Sequence, residues 1–122
     1  MSRKNSTAAS FGHAFDGLAE AINNEPNFRT HVLIALLATC LGIVLGLTKT
    51  EWLILALTII LVLIMELFNT AMEAIVDLVS PQIHPKAKVA KDVSAAAVLL
   101  SAIFSLIVGV YLFLPKIILL LQ

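Results

Sequence analysis

The stretch WLILALTIILVLIMELFNTAMEAIVD, Trp52 to Asp77, decides the fold. From Trp52 to Met65 it is apolar apart from Thr58. The run continues to Val79, about 28 residues and roughly 42 Å as a helix. The hydrocarbon core of a bilayer is about 30 Å thick, so one end must leave it. The residues beyond Met65 show which end. Glu66, Asn69, Glu73 and Asp77 are spaced three, four and four. At about 100° per residue they fall within a stripe roughly 80° wide, while Leu67, Phe68, Ala71, Ile75 and Val76 take other directions. The stretch predicts a membrane helix whose emergent end carries a polar stripe.

The rest of the chain agrees with that reading. Of 122 residues, 60% are hydrophobic and 13% charged, against about 25% charged in a soluble domain. Such a composition predicts an all-α integral membrane protein, one membrane domain over residues 1–122. Spans of about 20 residues are needed, and they are expected at 28–47, 51–79 and 88–114. Thr48 with Glu51 three residues on reads as a capping box opening the second span. Ser80-Pro81 stops it, and Pro115 is expected to interrupt the third span near its end. Ahead of the spans, residues 6–24 carry Phe11, Phe15, Leu18 and Ile22 on one helical stripe, as in an amphipathic helix lying in the membrane interface. Ala35, Ala38, Gly42 and Gly46 share a face of the first span, and Ala97, Ser101 and Ser105 a face of the third, as in close helix packing.

Loop charge sets the topology. Arg3, Lys4, Arg29, Lys86, Lys88 and Lys91 flank one side, and only Lys49 and Lys116 the other. The positive-inside rule then predicts a multi-pass protein with a cytoplasmic N-terminus and a cytoplasmic 80–92 loop. Glu25, the acidic end of the second span and the lysine-rich loop thus meet at one face. The formal net charge is zero with scattered basic residues, which predicts no nucleic-acid partner. Cys40 stands alone in an apolar run and reads as a small hydrophobe. The N-terminus lacks the continuous apolar core of a signal peptide.

Depth gives the polar stripe its chemical meaning. Glu66 lies about 21 Å along the helix from Trp52, within hydrocarbon depth, where an ionisable group must face protein or a wet cavity. Glu73 falls nearer the surface and Asp77 among headgroups. Carboxylates, with Glu25 added, offer the hard oxygen donors that Mg²⁺ takes alongside phosphate oxygens. Lys91 with Lys86 or Lys88 offers point charges for phosphates. A desolvated glutamate suits proton removal from a hydroxyl held at the interface. Together these parts fit phosphoryl transfer from a nucleotide to a lipid alcohol. No GxxxxGK[ST] or GxGxxG is present. Two other readings stay open on spacing alone: a non-enzymatic bundle conducting or sensing a cation, and polar residues that merely glue helices together. His13, His31 and His84 lack metalloprotease spacing.

Three segments carry a resemblance. ELFNTAMEAIVD at 66–77 resembles the ExxNTAxExxVD signature of the small prokaryotic diacylglycerol kinase family, which includes the undecaprenol kinases. KVAKDVSAAAVLL at 88–100 and NEPNFRTH at 24–31 resemble two further family segments, and SFGHAFDGL matches more loosely. The resemblance implies a homotrimer of three-span subunits in the bacterial inner or plasma membrane, with active sites shared between subunits. It implies ATP and a membrane lipid as substrates, and Mg²⁺ as cofactor. By position, Glu66 and Asn69 resemble the catalytic pair and Glu25 and Glu73 the metal ligands. His13, Asp77, Gln82, His84, Lys91 and Asp92 join those two glutamates around ATP. Phe28, Arg29, His31, Trp52 and Glu66 fall near the lipid. Pro26 and His31 stand closer to the undecaprenol kinase branch than to the diacylglycerol branch.

Overall fold

The computed structural model describes residues 7–82 and 84–122; the charges of Arg3 and Lys4 and the expected helix start at Ser6 lie outside them. The described chain is helical: α1 (Thr7–Asn24), α2 (Pro26–Leu45), α3 (Lys49–Val79) and α4 (Pro85–Leu120). The last three are long and apolar enough to cross a membrane. Along α1, Ala21 is buried while Phe11, Phe15, Leu18 and Ile22 are exposed.

Local chemistry fixes each boundary. Pro26 occupies the first turn of α2, where no N–H is needed. α2 ends two residues before the expected Leu47. Gly46 adopts a left-handed φ of 65°, its N–H meets the Ile43 carbonyl at 3.3 Å, and the Leu47 N–H meets the Gly42 carbonyl at 3.1 Å. That is a Schellman end, and it corrects the pairing of Gly42 with Gly46 as one packing face. Gly42 is buried in α2, and a Cβ there would stand 2.9 Å from Leu47 Cδ1 and 3.0 Å from Trp52 Cη2. Gly46 serves as the turn.

The capping box is present in full: the Thr48 N–H donates to Glu51 Oε2 at 2.7 Å, and the Glu51 N–H to Thr48 Oγ1 at 3.3 Å. α3 stops at Val79, ahead of Pro81, as expected. α4 begins three residues earlier than expected, at Pro85, because His84 caps it: His84 Nδ1 accepts from the Lys86 N–H at 3.2 Å. Pro115 does not interrupt α4, which continues to Leu120. Proline removes one backbone bond, but buried Leu112 and Phe113 precede it. Lys116 follows it and reaches Glu51 at 3.0 Å, so the last turns are held from outside.

α4 packs mainly on α3. The buried positions of α3 are Leu55, Thr58, Val62, Glu66 and Asn69, and those of α4 include Ser94, Ser101, Val108 and Leu112. Steps of three, four and seven define a knobs-into-holes seam. Three ties run down it, Glu51 to Lys116, Asn69 to Ser94 and Asp77 to Lys91, so the helices are antiparallel. Leu47, Leu55, Val108, Leu112 and Phe113 fill the far end, while the end near the α3–α4 turn is polar. Gly46→Ala is expected to destabilise the chain by about 1 kcal/mol through its left-handed backbone, and Gly46→Asn by less. Thermal unfolding in detergent checks the order; three equal midpoints would show that the turn relaxes.

Candidate active site

The polar end of the seam is enclosed. Glu66 is 2% exposed, Asn69 7% and Ser94 6%. α3 supplies the first two because the three-and-four spacing keeps them facing α4. Asn69 Nδ2 donates to Glu73 Oε1 at 3.0 Å, and Ser94 Oγ lies 2.7 Å from Asn69 Oδ1. Glu25, His31 and Glu73 are neighbours of Glu66. The structure therefore brings the α1–α2 junction to the acidic end of α3. Glu25 sits at the N-cap of α2, yet its side chain makes no capping hydrogen bond, so its carboxylate is left for other use. Thr70 Oγ1, beside Asn69 in sequence, is buried with no hydrogen-bond partner among the described residues.

Beyond this cluster the α3–α4 turn forms an open pocket of about 290 Å³, lined among others by Asp77, Gln82, His84, Lys88, Lys91 and Asp92. Five of these are expected ATP contacts. The sixth, Lys88, pairs with Asp92, and Lys91 pairs with Asp77 at 2.5 Å. Both pairs are substantially exposed, so each contributes little stability, about 0–1 kcal/mol, and a stronger anion can displace either carboxylate. Because His84 Nδ1 accepts a hydrogen bond, a neutral His84 carries its proton on Nε2 and offers a donor.

Among the described residues no group of three or more His, Cys, Asp or Glu side chains is arranged to hold a metal. Glu25 and Glu73 are two carboxylates. Mg²⁺ commonly takes one or two protein carboxylates and completes its shell with phosphate oxygens and water, so this donor set fits a cation that arrives with a nucleotide and not a preformed cage.

On the other side of the cluster, an apolar groove of about 580 Å³ runs between α2, α3 and α4. His31, Ala38, Val62, Leu106 and Phe113 are among its walls, and Val62 lies one turn from Glu66. His31 thus faces both groove and cluster. The remaining expected lipid contacts are dispersed. Phe28 is buried in packing. Arg29 is exposed, and its Nη1 donates to the Asn23 carbonyl at 3.2 Å. Trp52 packs near Gly42 at the far end, away from Glu66. His13 is exposed on α1 beside Asp16 and outside the pocket lining. Ser94 is the residue that sequence reasoning missed. It lies within the 88–100 segment, three residues after Lys91 and so one helical turn on, and that register was the available signal.

The profile of prokaryotic diacylglycerol kinases matches residues 12–113, a span that includes the buried cluster, the pocket at the α3–α4 turn and Glu25. The chain belongs to the prokaryotic diacylglycerol kinase family. It is 42% identical over 107 residues to the undecaprenol kinase of Bacillus subtilis, covering 88% of this chain and 87% of that one. It is 44% identical over 107 residues to a diacylglycerol kinase of Synechocystis, covering 87% of this chain and 61% of that one. The diacylglycerol kinase of Escherichia coli K12 is 34% identical over 96 residues, 79% of each chain. Two family members of similar likeness thus carry different lipid names. Glu66→Gln removes a buried ionisable group from this family member at nearly equal volume, and burying such a group is costly. Its helix content and thermal midpoint are expected to stay level or rise in detergent; unfolding would mark the carboxylate as structural.

Proposed function

We propose that the chain phosphorylates a membrane lipid alcohol with ATP at the cytoplasmic boundary of the bacterial inner or plasma membrane. Family membership makes it a lipid kinase; the cation-conducting reading finds no support among its relatives. The observation that carries the site assignment is the position of Glu66, a buried carboxylate between a lysine-bearing pocket and an apolar groove.

In this reading the groove takes the lipid tail and presents the hydroxyl beside Glu66. The pocket takes the nucleotide, with Lys91 and Lys88 leaving Asp77 and Asp92 for phosphate oxygens. The hydroxyl oxygen attacks the γ-phosphorus as the bond to the β–γ bridging oxygen breaks. Glu66 accepts the hydroxyl proton, and ADP leaves with the bridging oxygen. Mg²⁺, held by Glu25 and Glu73, would neutralise charge on the triphosphate. α1 lies along the interface with Phe11, Phe15, Leu18 and Ile22 in the lipid. The charge excess of the Arg29 and Lys86–Lys91 side supports the cytoplasmic orientation. A homotrimer is part of the proposal: three helices enclose little space, and a substrate site gains walls from neighbouring copies. Among lipids, His31 and Pro26 favour undecaprenol over diacylglycerol.

Purified protein incubated with γ-labelled ATP and each lipid tests the proposal. Label is expected in undecaprenol ahead of diacylglycerol; label in neither would overturn it. Glu66→Gln is expected to lose about 10²–10⁴-fold in turnover, the scale of general-base catalysis, with assembly intact. Glu73→Gln is expected to shift the Mg²⁺ titration to higher concentration, and a curve superimposable on the parent's would remove Glu73 from the metal site.

A further inference from the structure

Asn69 is held at both ends of its amide, and the two contacts are not equivalent. Nδ2 lies 3.0 Å from Glu73 Oε1, and Oδ1 lies 2.7 Å from Ser94 Oγ. The amide nitrogen only donates and the amide oxygen only accepts, so with Nδ2 donating to Glu73 the carbonyl faces Ser94. Two oxygens at 2.7 Å need a hydrogen between them, and only the serine hydroxyl carries one. That hydrogen also lies within reach of the Lys91 carbonyl, at 2.9 Å. Spending it there would leave Asn69 Oδ1 against a lone pair in a site where both residues are buried, which is unfavourable. The chain of donation therefore runs one way, from Ser94 to Asn69 to Glu73.

We infer that Ser94 is a positioning residue for the divalent cation: through Asn69 it fixes the orientation of the Glu73 carboxylate. This rests on the reading of Glu73 as a metal ligand. Ser94 is well placed for the task because it stands one turn from Lys91 on α4. The relay therefore locks a carboxylate on α3 to the helix that presents the phosphate-facing lysine. Residues that orient metal ligands typically change metal affinity or activity by about 10–100-fold when removed.

Mn²⁺ binding to the detergent-purified full chain, read by electron paramagnetic resonance with a non-hydrolysable ATP analogue present, tests the relay without turnover. Ser94→Ala is expected to weaken Mn²⁺ binding about 10-fold. The Mg²⁺ requirement of turnover should rise in step, with KM for the lipid unchanged. Ser94→Thr, which keeps a hydroxyl, should recover part of the loss. Glu73→Gln should weaken Mn²⁺ as well, and Ser94→Ala added to it should cost nothing more. Parent-like Mn²⁺ binding in Ser94→Ala beside impaired Glu73→Gln would overturn the relay and leave the metal site standing. Parent-like binding in Glu73→Gln would overturn both. A Ser94→Ala chain whose KM for the lipid rises as much as its Mn²⁺ dissociation constant would make Ser94 structural and overturn the relay.

Discussion

Polar side chains on a helix without surrounding water must be enclosed by protein, and that constraint organises this chain. α3 carries Glu66 and Asn69 on a face that packs mainly against α4. The closure is specific because Asn69 needs a hydrogen from its neighbour and Ser94 supplies it at 2.7 Å. Sliding α4 by one turn would set Val98 near Asn69 in place of Ser94 and leave a buried carbonyl unpaired. A buried polar contact of this kind selects register, whatever its net stability. The pairs Asp77–Lys91 and Glu51–Lys116 then fall at the two ends of the same register. Apolar packing among Leu55, Val108 and Leu112 fills the far end without having to specify it.

Fixing that register also assembles the site. The short α3–α4 turn folds the lysine-bearing start of α4 against the acidic end of α3, and the pocket forms between them. The α2–α3 turn at Gly46 returns the chain so that Glu25 and His31, at the start of α2, stand near Glu66. Pro26 needs no N–H acceptor, and Glu25 leaves its carboxylate out of the cap. Two cavities of opposite character consequently flank one buried carboxylate, an apolar one of about 580 Å³ and a charged one of about 290 Å³. That division matches a reaction between an oily acceptor and a soluble donor.

Much of this was legible in the sequence because it is written in local rules. The three-and-four spacing of Glu66, Asn69, Glu73 and Asp77 gave the polar face, Thr48 and Glu51 gave a helix start, and Ser80-Pro81 gave a stop. What escaped depends on partners that periodicity does not name. Gly46 sits four residues after Gly42, so spacing alone puts both on one helical face; only the path of the turn shows that Gly46 lies beyond the helix in a left-handed conformation. Pro115 breaks an isolated helix, but Lys116 finds Glu51 across the seam. Ser94 hides among small residues, and its role needs the register of α3 on α4. His84 is expected beside ATP, and its Nδ1 also caps α4, a role that spacing does not show.

The polar groups also differ in how firmly they are held, and the difference follows exposure. Ser94 and Asn69 are buried, and breaking their contact leaves an unsatisfied group at a cost of about 1–3 kcal/mol. Asp77–Lys91 and Lys88–Asp92 are exposed, where an ion pair contributes about 0–1 kcal/mol. In the proposed site, a triphosphate would bring several negative charges to the lysines of those pairs and outcompete a single carboxylate on each. The inner contacts stay fixed while the outer ones exchange. On that reading a nucleotide would enter by swapping weak surface pairs, and the buried Glu66 would not need to reorganise. In the proposed site, preorganisation at Glu66 and low-cost opening at Asp77 are properties of the same two helices, about three turns of α3 apart.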